Sequence, residues 1–323
     1  VSVQTELHAQ FLRAEGARVC RVNTDLPAIR RLPGVGRWLM PLLQPGAILV
    51  RLLRVLPRSR VVHIHAASYW PVARLLGRRV IVTYHGSRAE HFLGKYGWLV
   101  RCVLRSAHTV VVLSEWTRAM FQRLDVPAKV MPILVDTDRF AYRERTTFPP
   151  LILWAKGLSP RTNPLMAVRA CARVQREMPE AKLQMAGNGP LLAEARRLAE
   201  EIGARVEFFG NVPFAEIHRL YNAAGVFWNT SYADNMPDNV LEASACGLPV
   251  IATRVAGVPF IVKDGENALL VEADDDEALA QKTLAVLRDA ALAARLGRAA
   301  RQNAEQYAWP AARARLAAIY AKP

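Results

Sequence analysis

VFWNTSYADNMPDNVLEASACGLPVIATRVAGVP, residues 226–259, is the stretch from which the architecture of this chain is read. Val226, Phe227 and Trp228 form a short apolar run suited to a buried strand, residues 232–239 carry turn formers, and residues 240–245 read as helix until Gly247. Residues 248–253 then read as a second strand. Strand, polar loop, short helix, glycine stop and strand make a βαβ unit, and in open parallel sheets ligands sit beyond the carboxyl ends of the strands. The loop is therefore expected to face a ligand. It holds Asp234, Asn235, Asp238 and Asn239, with Glu242 at the start of the helix. Free N–H groups at a helix N-terminus favour an anion such as phosphate, and a carboxylate one turn in accepts hydrogen bonds from sugar hydroxyls. A nucleotide-sugar satisfies both; a helix cap at Asp238 or Asn239, with Glu242 favouring the dipole, accounts for the same residues with nothing bound.

Working outward, the same alternation fills both halves of the chain. Before the quoted stretch come strand 151–154, helix 164–178, strand 182–186, helix 191–202, strand 206–209 and helix 214–224. Earlier still are helix 1–15, strands 17–23, 61–65, 80–84, 109–113 and 129–133, and helices 71–76, 97–107 and 116–124. Helix 277–290 and a terminal helix 310–320 follow the stretch, and the acids at 274–276 read as an N-terminal charge cluster of the former. Thr146, Thr147, Phe148, Pro149 and Pro150 read as a linker. The expectation is α/β: two doubly wound Rossmann-like domains facing a cleft, residues 1–146 and 147–305, with residues 306–323 crossing back to the first.

Asp234-x7-Glu242 followed by EASACGLPVIAT resembles the E-x7-E segment of glycosyltransferase family 4, retaining GT-B enzymes that use nucleotide-diphosphate sugars. DNMP followed by EAxAxGxPV resembles a subgroup of that family. Asp234 stands at the usual Glu position, which shortens that carboxylate by a methylene. The resemblance places the donor against Asn235, Met236, Pro237, Asp238, Asn239 and Glu242. A leaving diphosphate gathers negative charge, so a cation aimed at it stabilises the transition state. Most of the family carries Arg and Lys where this chain has Gly157 and Thr162; the subgroup shifts the cation, which maps the role to Lys156 with Arg161 beside it. Gly187, in GNGP, resembles the family's G-x-G-P turn, and Asn211 and Val212 lie in a segment whose backbone reads the nucleotide base. His85 in VTYHGS matches a strand-end His near the reacting bond, and Ser114 in VVLSEWTR matches a Ser-Glu expected on the acceptor side. PILVDTDRF resembles the family's domain-junction segment. Family 4 chains usually open with a strand and a Gly-rich loop before the first helix; both are expected to precede residue 1.

Composition narrows the partners. The chain has 323 residues, 52% hydrophobic content and a net charge of +15. Between Asp25 and Glu90 there is no acidic residue, while Arg30, Arg31, Arg37, Arg51, Arg54, Arg58 and Arg60 all fall there, interleaved with apolar pieces such as WLMPLL and AILVRLLRVL. Such a segment, residues 27–60, fits an anionic membrane surface, and no helix-turn-helix, RNP or zinc-finger pattern recommends nucleic acid. Four scattered cysteines fit a reducing cytosol, and no apolar run is long enough to span a bilayer. Asp136-Thr137-Asp138 has the D-x-D form but sits in the junction segment, so neither metal nor cofactor is expected. His63 and His65 read as strand or acceptor-side residues. The reading is a glycosyltransferase moving a sugar from a nucleotide-diphosphate sugar to a lipid-linked or glycan acceptor, at the inner face of the membrane. An epimerase of similar architecture and a non-catalytic sugar-nucleotide or membrane-binding protein are the alternatives.

Overall fold

The computed structural model describes residues 3–20, 50, 51, 53, 54, 57, 59–64, 79–84, 97, 101, 104, 105, 107–131 and 133–320. Helix α1 (Val3–Ala14) opens it. The first sheet is wholly parallel, in the order β1 (Val61–Ile64), β2 (Arg79–Tyr84), β3 (Thr109–Val112), β4 (Ala128–Val130), with α2 (Glu115–Arg123) between the last two. The second, also parallel, is built from β5 (Leu151–Ala155), α3 (Pro164–Glu177), β6 (Lys182–Ala186), α4 (Leu192–Glu201), β7 (Val206–Gly210), α5 (Ile217–Ala223), β8 (Val226–Asn229), α6 (Asp238–Ala245), β9 (Val250–Thr253) and β10 (Leu269–Val271). Helices α7 (Asp276–Arg288), α8 (Ala290–Glu305) and α9 (Trp309–Tyr320) complete the chain. The molecule is thus two Rossmann-like α/β domains.

Strands buried on both faces need continuous apolar runs, and alternate residues serve opposite faces. In β2, Val80 and Val82 pack with Val110, Val112 and Phe121. Ile81 points the other way, with Val111, to meet Ala312, Leu316 and Ile319 of α9. The terminal helix therefore supplies one face of the first domain's core. Arg79 donates to the Tyr320 and Ile319 carbonyls at 2.8 and 3.1 Å, and Phe11 stacks on Trp309 with ring centroids 4.4 Å apart. His63 lies between the Tyr320 hydroxyl and Thr83, inside this packing. In the second domain, Ile152, Trp154, Val226, Trp228 and Ile251 face one core, while Leu153, Phe227, Val250 and Ala252 face the other. Both buried indoles are satisfied: Trp154 donates to Thr230 and Trp228 to Thr283, each at 2.9 Å.

Several expectations meet a different outcome. Helix 277–290 ends at Arg288, and Asp289 caps a further helix, α8, where no element was expected before residue 310. The helix expected from residue 214 starts at Ile217, after a turn in which Glu216 N–H bonds the Pro213 carbonyl. Residues 17–20 pair with no strand among the described residues. His85, His65, Cys102, helix 71–76 and most of residues 27–60 lie outside the described residues.

The second sheet runs β10-β9-β8-β5-β6-β7. From β5 the chain steps outward to β6 and β7, then returns to lay β8 on β5's other side. Neighbouring strands with oppositely directed connections leave a crevice at their carboxyl ends, and there a ligand site forms.

Candidate functional site

The β5 end of that crevice is residues 156–163. Thr162 fixes this turn: its hydroxyl donates to the Gly157 carbonyl at 2.6 Å and accepts from Ser159 N–H at 3.0 Å. The side chain at the family's usual Lys position is thus an internal brace. Lys156 follows directly on β5, and its Nζ pairs with Asp234 Oδ2 from the β8 side. Both side chains are largely enclosed, 17% and 9% exposed, so the charges neutralise each other in little water. Arg161 donates to the Ala233 carbonyl at 3.2 Å, and Tyr232 N–H returns a bond to the Arg161 carbonyl at 2.8 Å. The two sides of the crevice are knitted together.

Backbone proximity demands glycine at two points. A Cβ at Gly187, which has φ +146°, would lie 1.8 Å from the Lys156 carbonyl oxygen. Gly187 N–H also bonds the Gly210 carbonyl at 2.7 Å, which carries the exposed Asn211 and half-buried Val212 to the same rim. At Gly257, a Cβ would lie 1.7 Å from the Asn235 carbonyl oxygen, and Gly257 N–H holds the Asp234 carbonyl at 2.9 Å. The loop carrying Asp234 and Asn235 thus rests on the backbone of the turn after β9.

Helix α6 begins at Asp238, after Pro237. Asn239 donates to the Ala155 carbonyl at 3.0 Å and Met236 is buried in the core, so these two anchor the helix to β5 and its surroundings. Asp238 and Glu242, four apart on one helix, share a face and line a cleft with Gln4, Leu134, Phe140 and Phe214. Burial pushes the Glu242 carboxyl up to about 7, with the Asp238 charge adding and Tyr221 and Arg139 opposing. Burial likewise lifts Asp238 to about 6, against the pull of Lys156. Tyr221 donates to Glu242 Oε2 at 2.8 Å. Gln4 bonds both the N–H and the carbonyl of Leu134 at 2.9 Å and reaches Asp238 Oδ2 at 3.4 Å.

The first domain enters through Ser114. It caps α2, accepting Thr117 N–H at 3.2 Å, and its hydroxyl donates to Asn235 Oδ1, which Thr117 Oγ1 also reaches at 2.8 Å. The Asn235 amide nitrogen is buried and has no partner among the described residues. The structure therefore brings Lys156, Arg161, Asp234, Asn235 and Ser114 together, sets Asp238 and Glu242 one helical turn apart beside them, and places Gly187, Asn211 and Val212 at the rim. Arg139, within PILVDTDRF, acts on Glu242 through its charge, whereas Gln4 and Tyr221 belong to the site without any motif marking them. Their signal is geometric: each reaches α6 from a distant part of the chain.

Two family models cover the chain: "Glycosyl transferase 4-like domain" matches residues 3–134 and "Glycosyl transferases group 1" matches residues 136–303. A GDP-mannose-dependent alpha-(1-6)-phosphatidylinositol monomannoside mannosyltransferase of Mycolicibacterium smegmatis is 31% identical over 77% of this chain and 72% of its own length. A D-inositol 3-phosphate glycosyltransferase of Corynebacterium glutamicum is 32% identical over 53% of this chain and 43% of its own length. Among solved structures, HepE of Anabaena in complex with UDP and glucose superposes with a TM-score of 0.76 at 17% identity, covering 96% of this chain and 87% of that one. TarM of S. aureus superposes with a TM-score of 0.75 at 16% identity, covering 85% and 58%.

Proposed function

This chain belongs to the group 1 glycosyl transferase family, and from that premise we propose that it transfers a sugar, with retention of configuration, from a nucleotide-diphosphate sugar to a glycolipid or polysaccharide acceptor. The observation that carries the reading is the meeting of Lys156 and Asp234 where β5 and β8 part, in the loop that leads into the helix bearing Glu242. The donor's ribose hydroxyls donate to the Glu242 carboxylate, and its base runs along the backbone at Asn211 and Val212, past Gly187. Its diphosphate lies against Lys156 and the first N–H groups of α6, reached by Arg161. Lys156 then exchanges Asp234 for the diphosphate, so its charge is present where negative charge grows as the glycosidic bond breaks. Freed of that partner, Asp234 accepts a sugar hydroxyl, and the buried amide of Asn235 donates to another. The resemblance of VTYHGS assigns His85 a role at the reacting bond, and the acceptor enters from the Ser114 side. These side chains supply the charge stabilisation themselves, without metal or cofactor.

The test is transfer measured on the full-length protein against a panel of nucleotide-sugars, with and without acceptor. Acceptor-dependent release of nucleoside diphosphate is expected. Conversion of the donor sugar without acceptor would identify an epimerase, and tight donor binding without turnover a non-catalytic binder.

The reading includes peripheral attachment to an anionic membrane at the cytoplasmic face, where a lipid-linked acceptor would lie. Among the described residues no helix is long and apolar enough to cross a membrane. Val50 and Leu53, 49% and 48% exposed, stand on helical turns beside the exposed Arg51 and Arg54, as apolar and cationic groups must to enter a headgroup layer together. Co-sedimentation is expected with anionic but not neutral liposomes, and to be lost when Arg51, Arg54 and Arg58 are changed together to Glu. Binding indifferent to both changes would end this part of the reading.

A further inference from the structure

A carboxylate meant to grip a ribose must hold its position and its charge before the ligand arrives. Glu242 faces conditions hostile to both. It sits in an apolar surround with Asp238 one turn away on the same helix, and no cation pairs with it at short range among the described residues. One group meets it directly. Tyr221, wholly buried, donates its phenol proton to Glu242 Oε2 at 2.8 Å. The phenol is itself immobilised: its ring lies edge-on to Phe140 at 5.6 Å and tilted against Phe227 at 5.5 Å. Arg145 fixes the helix beneath, donating to the Tyr221 and Ala224 carbonyls at 2.9 and 2.7 Å. The hydrogen bond seen at this carboxylate among the described residues is to Oε2, and Glu242 lines the cleft.

We propose that Tyr221 is a positioning residue of the donor site, fixing the Glu242 carboxylate through Oε2 so that Oε1 is presented to the ribose of the nucleotide-sugar. This rests on the reading of Glu242 as the ribose ligand. Aromatic packing sets the ring, the ring sets the hydroxyl, and the hydroxyl sets which oxygen is free and holds it anionic. The groups that face Glu242 are Asp238 and, beyond it, Asp234 on its own segment, Tyr221 from α5, Arg139 and Asp136 from the domain junction, and Cys246 at the end of α6. Lys156 acts on the neighbouring Asp238. Of these only Tyr221 donates a hydrogen bond to the carboxylate.

The sign of the pH dependence follows. Glu242 binds ribose as the anion, and burial holds its carboxyl at about 7, so donor affinity falls as pH drops through neutrality. Removing the phenol withdraws a group that favours the anion, so the midpoint moves to higher pH. Calorimetric titration with GDP-mannose and UDP-glucose between pH 5.5 and pH 9 reads this directly, because a diphosphate esterified at both ends does not itself titrate there. Tyr221→Phe is expected to lower affinity at pH 7 about tenfold, to raise the midpoint, and to recover most of the affinity at pH 9. Phe227→Leu, which removes the tilted contact but leaves the edge-on Phe140, the Arg145 bonds and the phenol to hold the hydroxyl in place, is expected to lower the melting temperature without moving the midpoint. A Tyr221→Phe midpoint equal to wild type, or a shift equally produced by Phe227→Leu, overturns the inference. Wild-type affinity in Glu242→Gln, or failure of the wild type to bind either donor, overturns instead the reading of Glu242 on which it stands.

Discussion

The two ends of the segment from Asp234 to Glu242 treat negative charge in opposite ways. At the loop end, Asp234 is matched by Lys156, and both are enclosed. At the helix end, Asp238 and Glu242 share one face, are shielded from water, and hold their carboxyls near 6 and 7. An ion pair poised to exchange partners suits a diphosphate that carries charge throughout the reaction. A carboxylate with no cation at short range suits a neutral sugar hydroxyl, which needs one good acceptor and brings no charge of its own. The contrast teaches that, with both ends enclosed, the presence or absence of a cation partner decides what each carboxylate is suited to meet.

The sharpest way to break the comparison is at its ionic end. Lys156→Ala should lower kcat on the order of a hundredfold, as expected for loss of one group aimed at developing charge. It should also cost roughly 3 kcal/mol of stability by leaving Asp234 enclosed and unpaired. Adding Asp234→Asn should restore the melting temperature and leave kcat low; recovery of both would make Lys156 a structural residue. A smaller effect is expected at the helix end. Glu242→Gln should weaken donor binding about tenfold by calorimetry and abolish its loss between pH 8 and pH 6. A persistent slope would assign the titration to Asp238. Smallest is Arg161→Ala. Because that guanidinium is engaged with the Ala233 carbonyl, kcat should fall only a few-fold, and a loss equal to that of Lys156→Ala would show that the two share the diphosphate.

The fold was largely legible because parallel strands buried on both faces read as short apolar runs and the intervening helices as amphipathic stretches. Strand β6 and the βαβ unit from β8 to β9 emerge within a residue or two of their expected limits. Helix α8 was not anticipated: the expected helix stops at residue 290 and no element was assigned before residue 310, where the structure has a second helix capped by Asp289. In the candidate site, Lys156, Asp234 and Glu242, which the structure sets along one crevice, were picked out from the sequence. Those that support them were not. Thr162 stands at a family cation position and proves to be a brace for the turn. Tyr221 reads as one more core aromatic on a scaffold helix, and Gln4 as a polar residue on the first helix. Their roles arise from contacts with α6 that cross 21 and 234 positions of sequence. Spacing rules reach along one element, and these contacts do not.

The helix α9 that covers Ile81 and Val111 has a bearing on how the protein is made. Translation delivers the first domain's strands early, but Leu316 and Ile319, which cover them, come roughly 200 residues later. At about 5–20 residues per second, the nascent sheet waits on the order of ten to forty seconds with one apolar face bare, emerging from the ribosome beside other unfinished chains. The second domain, whose strands come from one continuous stretch, can therefore complete its own sheet before the first domain's core is covered.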